Sequence, residues 1–485
     1  MAEKLSGSPE LPRRLAELVG ESQVVTAPEE LLSYTYDGSG RQGLPTAVVF
    51  PLSSAQIAAV LRLAVQTRTP VIPRGAGTGM CGGSLAVRGG IILALSRLNR
   101  IKSIDQANQL AVVQPGVITA QLQARVAECG LYYPPDPTSR AFCTIGGNVA
   151  CGAGGPAAVK YGVTRDYVLG LKAVLAGGAI VRTGVKTAKG VVGYDLTRLL
   201  VGSEGTLAVI SEITLRLIPL PAGKATFLLL CRDLQQATAL VGVILAGLTP
   251  CALEYLDHTA LQLVKDRLPP DLPIQADSAL LLLEFDGDAQ SLRAQSRRLT
   301  ELVATTATWP HLRAATNKAE AASFWAARKG LSPAAFNLRP HKISEDVVVP
   351  RNRIPALVAG VAELAATSGL PIFTFGHAGD GNIHVNIMLN RDDPAEVRRS
   401  EAARTALYRR VLELGGTLSG EHGVGISKAE AIVAELGRDN LELMRQIKLV
   451  FDPTGILNPG KIFADPPPGA VAVAGTDRAG GRASA

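Results

Sequence analysis

The stretch Pro73-Arg74-Gly75-Ala76-Gly77-Thr78-Gly79 decides how the first half of the chain is read. Glycine at this density means a sharp turn or a backbone that must come close to a ligand. Successive N–H groups in such a loop form an anion-binding nest. A G-x-G-x-x-G pattern sits at Gly77, Gly79 and Gly82. In a Rossmann unit it would follow a smooth strand and open a long helix. Here Pro73 interrupts the run Val71-Ile72. After Gly82 come Gly83-Ser84, Gly89-Gly90 and a new strand at Ile91-Ile92, so no helix of the required length fits. No Gly-Lys-Ser/Thr follows, which excludes a P-loop. A tight turn without a ligand remains the alternative.

Three further segments weigh against that alternative. Pro134-Pro135-Asp136-Pro137-Thr138-Ser139 is a rigid turn with two hydroxyls. Thr144-Ile145-Gly146-Gly147-Asn148 sets two glycines beside an amide, and Gly202-Ser203-Glu204-Gly205-Thr206 repeats the theme. Four separated Gly/hydroxyl segments suggest a long, many-contact ligand such as a dinucleotide. Around them, Ser8-Pro9-Glu10 opens a helix that Gly20 ends, and Ser53/Ser54 caps one whose apolar face is Ile57, Val60, Leu61, Ala64 and Val65. Short β-runs continue to about Pro219; the last, Ile213–Leu217, alternates like a half-buried strand. From about Ala225 the texture changes to β-α-β-β-α, which suggests a ferredoxin-like antiparallel sheet. Gly415–Ile462 is expected to be helical, and the Pro/Gly/Ala-rich tail to be disordered. The expected organisation is α+β: residues 1–220, 221–414, 415–465 and a tail of 466–485.

The chain has 485 residues, 47% of them hydrophobic and 19% charged, which describes a globular protein of two or three domains. Net charge is +7, without a run of basic residues, so nucleic-acid binding is not expected. The six cysteines contain no C-x-x-C pair, which argues against an internal iron–sulfur cluster. No signal-peptide pattern opens the chain, and the longest apolar stretch, near residues 239–248, is too short for a bilayer. A cytoplasmic protein is the expectation.

Six histidines occur, and three of them, His377, His384 and His422, fall close together. In Phe375-Gly376-His377-Ala378-Gly379-Asp380-Gly381-Asn382-Ile383-His384-Val385-Asn386-Ile387 the Gly-Asp-Gly-Asn centre is a turn. Beyond it, His384 and Asn386 share a strand face opposite Ile383, Val385 and Ile387. The turn can return His377 to that face. Ser419-Gly420-Glu421-His422-Gly423 adds a carboxylate and an imidazole; if extended, these two side chains point in roughly opposite directions. His377, His384 and Glu421 then form a two-His-one-carboxylate set with open positions, suited to catalytic zinc or iron(II). An acid substrate needs a cation. Arg328 is the first candidate, because guanidinium pairs with carboxylates bidentately, and Lys342 the second.

These motifs resemble the FAD-binding fold of p-cresol methylhydroxylase and vanillyl-alcohol oxidase. More closely, the chain resembles the family of glycolate oxidase FAD-linked subunits, D-lactate dehydrogenases and D-2-hydroxyglutarate dehydrogenase. The resemblance covers roughly residues 20–465. It implies that Arg74, Gly75, Ala76, Gly77, Thr78 and Gly79 cradle the FAD pyrophosphate. Asp136, Thr138, Ser139, Gly146, Gly147, Asn148, Glu204, Gly205 and the backbone of Ile210 would line the flavin site, and Asn458 would touch the ring. The family's metal ligands match His377, His384 and Glu421, its catalytic histidine His422, its substrate-carboxylate arginine Arg328 and a substrate-contacting position Asn386. The family's Glu-Asn-Ala-Gly-Gly is Cys151-Gly152-Ala153-Gly154-Gly155 here. No histidine precedes His258, so non-covalent FAD is expected.

The implied activity is oxidation of a small (R)-2-hydroxy acid, glycolate or D-lactate, with a divalent cation (zinc, or iron or manganese). His422 would act as general base, for which an imidazole's ordinary pKa of about 6.5 is suited. Electrons would leave to a separate acceptor, such as an iron–sulfur subunit or quinone-linked carrier, and that partner could place the chain peripherally on a membrane. D-2-hydroxyglutarate dehydrogenase, an oxygen-using oxidase and a non-catalytic flavin-binding assembly subunit are the alternatives; a homodimer is left open.

Overall fold

The structure, a computed structural model, describes residues 10–305 and 310–464. The expected helix start at Ser8-Pro9 and the tail from Pro466 lie outside the described residues. Ser53 accepts a hydrogen bond from the Gln56 N–H and starts the helix Ser54–Thr67, whose Ile57, Val60, Leu61 and Ala64 are buried. This helix links the strand Ala47–Val49 to Val71–Arg74; both pair in parallel with Ile91–Ala94, and Val24–Val25 closes the other edge antiparallel. Pro73 does not interrupt the strand, contrary to expectation. Val71–Arg74 is the last strand in that order, and an edge tolerates a missing N–H donor. No helix lies between Arg74 and Ile91, in keeping with the exclusion of a Rossmann unit.

A second sheet is antiparallel, in the order Ile101–Asp105, Leu110–Val113, Val209–Arg216, Val168–Val174, Ile180–Gly184. The third is larger than a ferredoxin-like unit. Its seven antiparallel strands run His311–Ala314, Gly223–Cys231, Ala279–Gly287, Ala252–Leu256, Ile372–His377, Asn382–Leu389, His341–Val348. Both faces of its centre are covered, which explains the unbroken run Ala279-Leu-Leu-Leu-Leu. Leu281, Leu283 and Phe285 pack with the helices Leu234–Gly247 and Ile354–Ser368. Leu280 and Leu282 pack on the other face with His258–Val264 and Lys318–Lys329.

Gly415–Ile462 is helical only over Ile432–Phe451, and there with a break at Gly437; residues 414–431 are irregular. The physical reason is that several N–H groups of this glycine-rich stretch are drawn to buried carboxylates, as described below. The chain then returns to the first sheet, where Val71 N–H donates to Ile456 O and Asn458 N–H to Val71 O. No helix among the described residues is long and apolar enough to cross a membrane.

Candidate active site

One face of the seven-stranded sheet changes character along its strands. Phe373, Phe375 and Met388 belong to the apolar core on that face. The period of two carries the same face onward to His377, His384, Asn386, Asp346 and Glu254. Ile383, Val385, Val347 and Leu253 fill the opposite core. Register places His384 beside both Phe375 and Asp346, and Asn386 beside Ser344.

Glu254 is 0% exposed. Its Oε1 lies 2.5 Å from His377 Nδ1, and its Oε2 accepts from Arg328 Nε at 2.8 Å and pairs with Nη2 at 2.7 Å. Arg328 sits over the Phe375 ring at 4.4 Å. Burial disfavours charge on His377, but Glu254 and Glu421 outweigh it and hold its pKa well above the usual range. Burial, then His377, push His384 well below that range, towards the neutral form that binds cations.

Asp346 shapes the loop that carries Glu421 and His422. Its Oδ2 accepts from the backbone N–H of Gly420 at 3.0 Å, Glu421 at 2.9 Å and His422 at 2.8 Å. Its Oδ1 accepts from Asn382 Nδ2 at 2.6 Å. Burial opposes its ionisation, yet His422, Lys428 and His384 outweigh burial and hold its pKa well below the usual range. Wrapping around one carboxylate, the loop is not extended. Glu421 and His422 therefore converge rather than diverge, a correction to the expected opposite directions.

Glu421 Oε1 lies 3.5 Å from His377 Nε2, 3.7 Å from His384 Nε2 and 3.8 Å from His422 Nε2. Ligand atoms sharing a tetrahedral cation at about 2.1 Å stand about 3.4 Å apart. His377 Nε2 is buried without a hydrogen-bond partner. The three distances from Glu421 Oε1 approach that spacing, which suits a divalent cation. A second grouping, Asp346, His384, Glu421 and His422, has one ligand atom each within 4.8 Å of one another. The oxygens of Asp346 already accept four N–H bonds, which leaves His384, Glu421 and His422 as the freer members of that group. The rings of His384 and His422 stack, with centroids 5.5 Å apart.

A cavity of about 450 Å³ joins this cluster to the glycine-rich half. It is lined by Arg74–Gly79, Thr138, Ser139, Gly146, Gly147, Asn148, Glu204, Gly205 and Ile210 at one end, and by Arg328, Lys342, His384, Glu421 and His422 at the other. Its walls require glycine: a Cβ on Gly75 would come within 2.4 Å of Thr144 Oγ1, and one on Gly146 within 2.4 Å of Pro115 Cβ. The Arg74 guanidinium is engaged locally, donating to Tyr36 O at 2.8 Å and to Ser84. Four expected residues lie outside the lining. His377 meets Glu421 through Nε2 at 3.5 Å. Asp136 Oδ1 accepts from Ala157 N–H, and Asn386 Oδ1 accepts from Ser344 Oγ. Asn458 Nδ2 donates to Gly83 O and Glu204 O. Sequence reasoning missed Glu254 and Asp346. The available signal was a lone carboxylate in an otherwise apolar strand, Ala252-Leu-Glu-Tyr-Leu256, and an acid directly before Val347-Val348-Val349.

Comparison with known proteins accords with this geometry. The description "FAD linked oxidases, C-terminal domain" matches residues 220–462, and "FAD binding domain" matches residues 45–184. The glycolate oxidase subunit GlcD of Bacillus subtilis (strain 168) is 41% identical over 89% of this chain and 92% of its own length. A D-lactate dehydrogenase of Anaerostipes hadrus is 35% identical over 94% of this chain and 97% of its own. Substrate-bound p-cresol methylhydroxylase superposes with a TM-score of 0.79 at 17% identity, covering 94% of this chain and 96% of that one, which shows the fold. The chain, an FAD-linked oxidoreductase with the two-part α+β fold of p-cresol methylhydroxylase, belongs to the FAD-linked oxidase family.

Proposed function

We propose that this protein oxidises a small (R)-2-hydroxy acid, glycolate or D-lactate, to the 2-oxo acid, with FAD held non-covalently. The observation that carries this reading is a cavity in which glycine-lined walls meet His384, Glu421 and His422, with Arg328 and Lys342 beside them. When bound, FAD supplies the hydride acceptor, and a divalent cation held by His377, His384 and Glu421, zinc or else iron or manganese, supplies stabilisation of developing negative charge on oxygen.

Arg328 and Lys342 hold the substrate carboxylate, which fixes the Cα–H direction. His422 Nε2 receives the hydroxyl proton. Its Nδ1 faces Asp346 Oδ2 at 3.9 Å, a carboxylate that stabilises the imidazolium formed. The names of the relatives support the substrate class, and the word "subunit" in one of them supports transfer of electrons to a separate acceptor, an iron–sulfur subunit or quinone-linked carrier.

Anaerobic mixing of the flavin-loaded protein with glycolate, D-lactate, L-lactate and D-2-hydroxyglutarate tests the reading. Glycolate and D-lactate are expected to bleach the flavin, and L-lactate to fail. Bleaching by D-2-hydroxyglutarate alone moves the assignment to that acid; no bleaching by any of them overturns it. Rapid recolouring in air would favour the oxidase alternative.

A further inference from the structure

Glu254 has no part in the chemistry above, yet it is fully enclosed, 0% exposed on the strand Ala252–Leu256. Enclosing a carboxylate is costly unless cationic or N–H partners surround it. Here its two oxygens serve different partners. Oε1 meets His377 Nδ1 at 2.5 Å, while Oε2 meets Arg328 Nε at 2.8 Å and Nη2 at 2.7 Å. The far nitrogen of the same imidazole, His377 Nε2, has no hydrogen-bond partner and faces Glu421 Oε1 at 3.5 Å.

We infer that Glu254 is a positioning residue that couples the substrate-anchoring Arg328 to the cation ligand His377, so that cation affinity depends on Arg328 chiefly through this side chain. This rests on the functional reading above. A carboxylate that accepts from Nδ1–H fixes the tautomer with Nε2 free and makes that nitrogen a stronger donor to a cation. The same negative charge is shared with the guanidinium. When a bound acid draws on Arg328, more of that charge falls to His377 and the cation is held more tightly. By linkage the cation strengthens acid binding in return.

The test is a two-by-two measurement of Zn²⁺ and Mn²⁺ affinity on the purified flavin-loaded chain without substrate, by competition with a chromophoric chelator. The proteins are wild type, Glu254→Gln, Arg328→Gln and the double variant, with Glu421→Gln setting the scale for loss of a ligand. Glu254→Gln is expected to weaken cation binding about 10- to 100-fold. Arg328→Gln, which touches no ligand, is expected to tighten it, by a factor at least threefold larger with Glu254 present than in the Glu254→Gln background. Equal factors in both backgrounds overturn the coupling, as does Glu254→Gln binding within twofold of wild type. Should Glu254→Gln not fold, Arg328→Gln is compared with Arg328→Lys, which keeps the charge and is expected to restore near-wild-type affinity; unchanged affinity in both overturns the coupling. Wild-type protein that takes up no cation overturns the metal assignment together with the coupling, whereas normal wild-type uptake with unaffected variants overturns the coupling alone.

Discussion

Lys342 illustrates how enclosure changes a single charge. Its Nζ donates to Ser332 Oγ at 2.7 Å and lies 5.7 Å from the Phe336 ring centroid. Burial alone pushes its pKa down to about 8. Below that pH the side chain is an ammonium that attracts a carboxylate; above it the side chain is a neutral amine. KM for the acid substrate is therefore expected to rise with pH above about 8, approaching about tenfold per unit if only the charged form binds. Steady-state KM measured from pH 7 to 10 checks this. Lys342→Arg is expected to abolish the rise, because arginine stays charged across the range, and Lys342→Met is expected to give a high, pH-independent KM. Lys342 was legible in the sequence as a candidate cation, but its proton affinity was not. That depends on desolvation in the folded chain. Arg328 was equally legible, whereas its bond to Glu254 spans 74 residues and leaves no local trace.

Among elements, the strand Asn382–Leu389 and the hairpin before it were the most legible. A period of two leaves His384 and Asn386 one face once Ile383, Val385 and Ile387 take the other. The loop 419–423 was not legible, because its shape comes from a carboxylate over 70 residues upstream rather than from any periodicity. The glycine-rich loop lies between these cases: its role as a close-approach wall was readable, but the atom it approaches was not. Gly75 packs against Thr144, the N-cap of the short helix Ile145–Cys151, whose hydroxyl oxygen accepts from Gly147 N–H at 3.2 Å. Gly75→Ala must push that cap aside. An N-cap contributes about 1 kcal/mol, and the displaced wall also faces the cavity. Flavin affinity is expected to fall about tenfold, read from flavin retained after gel filtration or from the fluorescence of released FAD. Wild-type retention would show that the wall yields without cost.

At the scale of the whole molecule, Glu204 joins the flavin-side sheets to the C-terminal segment. Its carboxylate accepts from Val424 N–H at 2.7 Å and Gly425 N–H at 2.8 Å, while its own carbonyl receives Asn458 Nδ2 at 2.7 Å. Burial pushes its pKa up, opposed by those two N–H bonds and by Lys428 and Lys461. Hydrogen bonds to a charged group contribute about 1.5–3 kcal/mol each. Glu204→Ala is expected to destabilise the chain by about 3 kcal/mol or more, and Glu204→Gln by roughly half of that, in urea unfolding. Equal midpoints for wild type and alanine would show that the junction carries no such load.

What the sequence by itself determined is whatever short-range periodicity and residue chemistry encode. It determined the glycine-rich walls without a Rossmann helix, the two-faced strand with its histidines, the antiparallel character of the sheet that follows Ala225 and the family to which these motifs belong. Tertiary structure alone decided which carboxylates stand behind the site, Glu254 and Asp346, and which way the 419–423 loop turns. It also drew Asn386, Asn458 and Asp136 away from the cavity lining. The physical reason is that a buried charge finds its partners by position in space. Enclosure makes an unpaired carboxylate too costly to keep, so the fold supplies its N–H donors and cations from segments that the sequence does not place together.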